Sequence, residues 1–350
     1  MPMPTTCPKP GQMSPATDSS MSPARSSLDE IAGLIRENGK YLLTTHEGPD
    51  GDALGSLYGM QKILEGLGKD SAMFLAAKEF PLPIEYQHMP LDGIFHEPPA
   101  DLRDRVVVFL DCGNIDRMPV DFLKTGGKLV VNIDHHHDNT RFGDFNFVDP
   151  GASSTAEIIF ELSLSLDVKL TPRIAHALYV GIVTDTGKFM YDSTDARTHE
   201  VAAALVRAGV DIDDVNRRLY ESVPFEKLKL LSRALDKVET HCGGALITTY
   251  ISQQDYEETG AGEEMTEGII DQLRAVDGIR VAAVVRDQVS RGRAARKISL
   301  RAGDPHTDVS ALARRFGGGG HVRAAGCSTE LDFSEIVDQI CDGLAEQTDG

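Results

Sequence analysis

Six side chains between positions 46 and 185 have the types and the placement to hold metal ions: His46, Asp50, Asp52, Asp111, His135 and Asp185. Each follows an apolar run or closes a helical stretch. Tyr41 to Thr45 leads into His46-Glu47-Gly48-Pro49-Asp50-Gly51-Asp52, and Val106 to Leu110 leads into Asp111. Leu129 to Ile133 leads into Asp134-His135-His136-His137, and the stretch from Pro172 leads into Thr184-Asp185-Thr186-Gly187. Open α/β sheets carry their functional crevice outside the carboxyl ends of the strands, which predicts that these residues converge. Four carboxylates brought together without cations repel one another, and some stay protonated. Two divalent ions would cancel the four charges and leave the imidazoles as neutral ligands. An oxygen-rich set with a few nitrogens suits Mn²⁺, with Mg²⁺, Co²⁺ and Fe²⁺ as competitors. Such a pair can share one carboxylate and aim a hydroxide at phosphorus. Taken singly, a D-x-D is a solvated turn and a strand-end Asp is a helix cap. Their joint placement in one α/β unit is what singles out a metal centre.

The elements that must position these groups are legible as periodicity. Ser27 with Glu30 three residues on reads as the N-cap of a helix through Ile31, Leu34 and Ile35. Residues 53–67, 155–163 and 172–182 read as helices, the last with Ile174, Leu178 and Ile182 four residues apart. The apolar runs 41–45, 106–110 and 129–133 read as strands covered on both faces. Alternation of this kind predicts a doubly wound, mainly parallel sheet. A smaller α/β domain follows, with strands expected at 245–250, 280–285 and 297–301, and the site is expected in the cleft between the two domains. The boundaries expected are a disordered tail at 1–27, a catalytic domain at 28–195, a helical linker at 196–240 and a second domain at 241–347.

Composition narrows the function classes. A net charge of −19 argues against a surface that holds long duplex nucleic acid, because phosphate binding needs a cationic footprint. Charge is uneven, however: Arg280 to Arg323 holds ten Lys or Arg against three Asp. That basic run ends at Gly317 to Gly320, where glycines can take positive φ and turn successive N–H groups toward an anion. No apolar run reaches the roughly 18 residues of a membrane span. The five cysteines are odd in number and never spaced C-x-x-C, which predicts free thiols and a cytoplasmic setting.

The segments H-E-G-P-D-G-D-A (46–53), D-C-G-N (111–114), D-H-H-H (134–137) and T-D-T-G (184–187) resemble the four motifs of the DHH phosphoesterases. F-G-G-G-G-H-V-R-A-A-G (316–326) resembles the signature of the DHH-associated C-terminal domain. The resemblance spans about residues 28 to 345, and within the family it points to the two-domain nanoRNase/pAp phosphatases. It implies that His46, Asp50 and Asp111 hold one metal. Asp52, Asp111, His135 and Asp185 would hold the other, with Asp111 bridging. His136 would face the substrate phosphate as a catalytic group. Arg301, Gly318, Gly319, Gly320 and His321 would bind substrate. One departure is Gly48, where the family usually carries Asn, which removes a loop hydrogen bond but no ligand. His137 is expected at the surface.

The implied activity is hydrolysis of short RNA oligonucleotides to mononucleotides by a hydroxide activated on two metals. Further candidate substrates are 3′-phosphoadenosine 5′-phosphate and linear or cyclic dinucleotides, and family likeness allows a homodimer. The competing readings are an inorganic pyrophosphatase, a single-strand exonuclease and a non-catalytic nucleotide sensor. The glycine-His segment argues against the first, chain length against the second, and the full ligand set against the third.

Overall fold

The computed structural model describes residues 25–91, 93–117, 120–288, 296–320 and 322–347. The chain divides into two compact units between Leu219 and Tyr220. Most of the expected tail lies outside the described residues. Arg25 bridges to Asn146, and the Ser26 N–H donates to the Asn146 carbonyl at 2.8 Å.

Unit 1 opens with α1 (Leu28–Glu37), started by the expected reciprocal cap between Ser27 and Glu30. There follow β1 (Lys40–Thr44), α2 (Gly51–Gly66), β2 (Asp70–Met73), β3 (Val106–Leu110), α3 (Asp121–Thr125), β4 (Leu129–Asp134) and β5 (Phe145–Val148). The helices α4 (Thr155–Ser165), α5 (Pro172–Asp185), α6 (Ala196–Arg207) and α7 (Ile212–Asn216) complete it. The five strands form one parallel sheet in the order β2-β1-β3-β4-β5. The order reverses between β1 and β3, the place where such sheets open a crevice. Register aligns Thr44 with Phe109 and Leu110 with Ile133, so the three ligand-bearing strands end level with one another.

Helix α2 is buried along nearly its whole surface and packs against α4 and α5. Gly55 and Gly181 are what let it. A Cβ on Gly55 would lie 2.5 Å from the Ala177 carbonyl, and one on Gly181 would lie 2.7 Å from Asp52 Oδ1. Close approach of α2 and α5 brings Asp52, in the first turn of one, to Asp185, at the end of the other.

At the opposite, amino-terminal end of the strands Arg105 ties three strands together. Its guanidinium donates to the Tyr41 carbonyl at 3.0 Å, to Asp70 and to Asp101, which also accepts from Lys40 at 2.8 Å. Hydrogen bonds from Arg105 and then Lys40 hold the Asp101 carboxyl down at about 2. A depressed carboxylate contributes stability above its unfolded pKa of about 3.9, and that stability is lost as pH falls through the folded value. Asp101→Asn is therefore expected to flatten the acid limb of unfolding midpoints between about pH 4 and pH 2. Identical slopes for the variant and the parent protein would contradict this.

Unit 2 runs α8 (Phe225–Asp236), β6 (Glu239–His241), β7 (Leu246–Ile251), α9 (Gln253–Thr259), α10 (Ile269–Arg274), β8 (Val281–Asp287) and β9 (Arg296–Ala302). It ends with α11 (Val309–Arg314), β10 (Gly319–Gly320), β11 (Ala324–Thr329) and α12 (Phe333–Glu346). The sheet order is β10-β11-β9-β8-β7-β6, with only β7 and β8 parallel. Alternation along β8 buries both faces: Val281, Ala283 and Val285 pack with α11 and α12, while Ala282 and Val284 pack with α8 and α10.

The cysteines correct the expectation of free thiols. Cys242 and Cys341 are disulfide-bonded with Cα atoms 5.8 Å apart, joining the turn after β6 to α12. A separation of 99 residues leaves no spacing motif to read. Cys112 and Cys327 are free and buried, and Cys7 lies outside the described residues.

Candidate metal centre

The strand ends and helix ends deliver the predicted groups to one place. His46 lies two residues beyond β1, and its Nε2 is 3.6 Å from Asp111 Oδ2. Asp111 follows β3 with φ 56, a left-handed conformation that Asp and Asn tolerate better than most residues. Its Oδ1 lies 3.6 Å from His135 Nε2 and 3.6 Å from His136 Nδ1. His135 Nε2 is also 3.4 Å from Asp185 Oδ2. Asp50 caps α2, accepting from the N–H groups of Asp52 and Ala53 at 3.1 and 3.0 Å.

Three sets of donor atoms fall within 4.8 Å of one another: His46 with Asp50 and Asp111; Asp52 with His135 and Asp185; and Asp111 with Asp134, His135 and His136. Asp111 and His135 each belong to two sets. All six residues singled out from the sequence are therefore in one cluster.

Asp52 is held by the start of α4. Its two oxygens accept from the N–H groups of Thr155 at 2.6 Å and Ala156 at 2.9 Å. Each carboxylate oxygen has further lone-pair capacity, so these bonds orient the group without exhausting it.

The electrostatics of the cluster suit it to cations. Burial, then repulsion from Asp111, Asp185 and Asp50, pushes Asp52 well above the carboxylate range. Burial likewise raises Asp185 to about 7, with His135 opposing and Asp111 and Asp50 adding to the rise. Burial alone would raise Asp111 too, but the His46 hydrogen bond and the charges of His135 and His136 hold it well below its usual value. Buried carboxylates that cannot all ionise together are the donor set that divalent cations satisfy.

The anion-binding residues expected in unit 2 are placed less uniformly. Arg301 lies on β9 and borders a cavity of about 30 Å³ with Arg286, Thr266 and Ser299. Gly319 and Gly320 pair with Gly326 and Ala325 as a strand edge. Gly318 departs from the expectation. Its N–H donates to the Ala313 carbonyl at 3.0 Å, closing the end of α11, so that amide is not offered to an anion. Glycine is needed there because a Cβ would lie 2.3 Å from the Gly326 carbonyl. His321 lies outside the described residues. His137 is exposed. The Gly48 loop takes φ 65, and its N–H donates to Glu79 at 2.7 Å.

Residues 40–182 match the family model described as DHH family, N-terminal domain. A bifunctional oligoribonuclease and PAP phosphatase NrnA from Thermus thermophilus is 32% identical over 317 residues, covering 88% of this chain and 90% of that protein. The chain belongs to the DHH family. A probable bifunctional oligoribonuclease and PAP phosphatase NrnA from Streptococcus mutans is 27% identical, covering 85% of this chain and 92% of that protein. An exopolyphosphatase-related protein from Bacteroides fragilis shares the fold with a TM-score of 0.81 at 22% identity, covering 91% of this chain and 95% of that one.

Within this DHH-family unit three supporting residues carry no assignment from sequence. Asp134 is fully buried, and its Oδ1 accepts from His136 Nδ1 at 2.8 Å. Asn139 donates to Asp134 Oδ2 at 2.5 Å and to Asn132 Oδ1 at 2.7 Å. Thr155 Oγ1 donates to Asp111 Oδ1 at 3.1 Å. Asp134 stands inside the D-H-H-H segment, so a signal existed; Asn139 and Thr155 offered none. Burial lowers the His136 pKa, but the Asp134 bond and then Asp111 outweigh it and push it up to about 9. Asp134→Asn keeps the shape and removes the charge. It is expected to lower kcat about 10- to 100-fold while divalent cation still binds, as for other supporting partners of site residues. It should also move the alkaline limb of the rate profile to lower pH as His136 loses its stabilising anion. An unchanged profile would contradict a positioning role for Asp134.

Proposed function

We propose that this chain is a phosphoesterase that hydrolyses short RNA oligonucleotides to mononucleotides and also dephosphorylates 3′-phosphoadenosine 5′-phosphate. The single observation that carries the reading is Asp111 shared between donor sets, with five carboxylates and three imidazoles in one cluster. The named activities of the relatives from Thermus thermophilus and Streptococcus mutans support it over a pyrophosphatase or a single-strand exonuclease.

In this reading His46, Asp50 and Asp111 hold one divalent cation, and Asp52, Asp111, His135 and Asp185 hold the second, with Mn²⁺ preferred over Mg²⁺ and Co²⁺. The chemistry such a pair supplies is polarisation of phosphoryl oxygens and acidification of water. The protein's own groups do the rest. Asp134 fixes His136 through Nδ1, which assigns Nε2 to the phosphate. A proton on His136, favoured by the buried Asp134 carboxylate against its Nδ1, would neutralise charge that builds on the phosphoryl oxygens. The backbone N–H groups of Thr155 and Ala156 keep Asp52 from rotating away, so the ligand set is pre-formed. Arg301, Gly319, Gly320 and His321 are assigned to anionic or polar groups of the substrate, a planar guanidinium being suited to paired phosphate oxygens. The proposal extends to a cytoplasmic homodimer. The Cys242–Cys341 disulfide is at odds with a reducing compartment.

The test is a product time course with Mn²⁺ on a length series of short RNAs, beside 3′-phosphoadenosine 5′-phosphate, a cyclic dinucleotide and pyrophosphate. Mononucleotides released fastest from the shortest RNAs, with AMP from 3′-phosphoadenosine 5′-phosphate, are expected. Turnover of pyrophosphate alone, or binding of dinucleotide without turnover, would overturn the reading.

A further inference from the structure

A second hollow in unit 1 lies away from the metal centre. It has a volume of about 650 Å³, in the range of small-molecule sites. Its walls come from Tyr58 and Lys62 of α2, His88 after β2, and Arg173 and His176 in the first turns of α5, with Asp214 and Arg218 on the α7 side. Tyr58 and Lys62 follow Asp52 on α2, while Arg173 and His176 precede Asp185 on α5. Along the helix axes that places the hollow about 9–18 Å from the metal-centre residues.

Its polar groups are unevenly matched. Asp214 is already bound by Arg218 at 2.7 Å and by Arg217 at 2.5 Å. Asp211 caps α7, accepting from the Asp214 N–H at 3.0 Å. Lys62 pairs with Glu65 at 2.8 Å and sits 5.0 Å from the centre of the Tyr58 ring. Arg173 is exposed and has no ion-pair partner among the described residues. His88 Nε2 is buried with no hydrogen-bond partner. Asp214 is therefore neutralised and Asp211 is tied to the start of α7, whereas the Arg173 guanidinium on the wall of the hollow is left without a counter-ion.

Aromatic surface is present beside the charge. The His88 and His176 rings meet edge to face with centroids 6.1 Å apart, and Tyr58, Pro90 and Pro172 supply flat or apolar wall. A metal does not fit: none of the close donor sets among the described residues includes these histidines. A bare phosphate would leave most of the volume unfilled. An anion joined to a planar ring answers both the cations and the aromatic wall.

We propose that this hollow is a second ligand site, built for a nucleoside monophosphate, with the phosphate on Arg173 and Lys62 and the base against Tyr58, His88 and His176. It stands independently of the reading of the metal centre. Burial lowers both imidazoles, opposed at His176 mainly by Asp214 and assisted at each by Arg218, so both are neutral at pH 7. A neutral imidazole ring presents a flat face on which a base can pack, and His176 has one donor and one acceptor nitrogen.

The probe is AMP, with inorganic phosphate as the comparison, added to the full chain in EDTA while the imidazole NMR signals of His88 and His176 are followed. Signals are assigned with His88→Gln and His176→Gln. AMP is expected to shift both saturably below millimolar concentration, and phosphate to shift them far less. Arg173→Ala is expected to weaken AMP about tenfold, the loss of one charge-assisted contact. The same variant should hydrolyse a dinucleotide with Mn²⁺ at the parent rate, which separates this site from the metal centre. Signals that stay fixed in millimolar AMP would overturn the proposal. So would phosphate acting as strongly as AMP, or unaltered AMP affinity in Arg173→Ala.

Discussion

Asp111→Asn is expected to lower the turnover of a dinucleotide by on the order of 10³-fold. Asp111 is the residue on which the cluster closes: His46, His135 and His136 each lie 3.6 Å from its carboxylate, and Thr155 Oγ1 lies 3.1 Å away. Losing one shared anionic ligand removes several kcal/mol of transition-state charge stabilisation, and each ~1.4 kcal/mol is tenfold in rate. Asn is the informative replacement because the backbone there has φ 56, which Asn adopts with little strain. Ala at this position would add about 1 kcal/mol of backbone strain and blur the result. The loss should fall on kcat, since Asp111 would hold the cations that act at the reacting phosphate and not the substrate's distal end. Full activity in Asp111→Asn, with the fold checked by circular dichroism, would remove the shared-ligand assignment.

Divalent cation should also raise the stability of the folded protein, and by a large amount. Burial pushes Asp52 well above its usual range and Asp185 to about 7, so the metal-free cluster is a set of carboxylates in an unfavourable setting. A cation that binds only the folded chain adds RT ln(1 + [L]/Kd), about 4 kcal/mol at a thousandfold excess over Kd. For a unit of this size each kcal/mol is worth about 2–4 °C, so Tm should rise by about 10 °C with saturating Mn²⁺ and fall back in EDTA. Asp52→Asn should lose much of that rise, because Asp52 joins His135 and Asp185 in one donor set. A Tm indifferent to Mn²⁺ would mean that the cluster is not a cation site.

The parts of the structure that could be read in advance are those where one physical signal acts alone. The apolar runs 106–110 and 129–133 became β3 and β4 because a parallel strand covered on both faces has no polar alternation to obscure it. Helix α1 began where Ser27 and Glu30 said it would, since a reciprocal cap is local chemistry. His46, Asp111 and His135 came together because strand ends in a parallel sheet converge at level register, and close packing of α2 on α5 added Asp50, Asp52 and Asp185.

What was not legible depends on distant partners. β11, Ala324–Thr329, is a run of small residues that owes its extended form to pairing with β9 along its full length. β5, Phe145–Val148, is four residues long and too short for periodicity to register. The Cys242–Cys341 bond joins positions 99 residues apart. Thr155 reaches Asp111, and its amide reaches Asp52, only because α4 starts beside the first turn of α2 and the end of β3. The glycine segment misled in a specific way: at Gly318 the missing Cβ serves close packing on Gly326 and Cys327, and its amide closes α11.

The most direct measurement is an anomalous difference map from crystals of the protein soaked in MnCl₂. Two peaks are predicted, one among His46, Asp50 and Asp111, the other among Asp52, Asp111, His135 and Asp185, with the Asp111 carboxylate touching both. A single peak, or peaks held by other side chains with Asp111 touching neither, would contradict the two-cation centre.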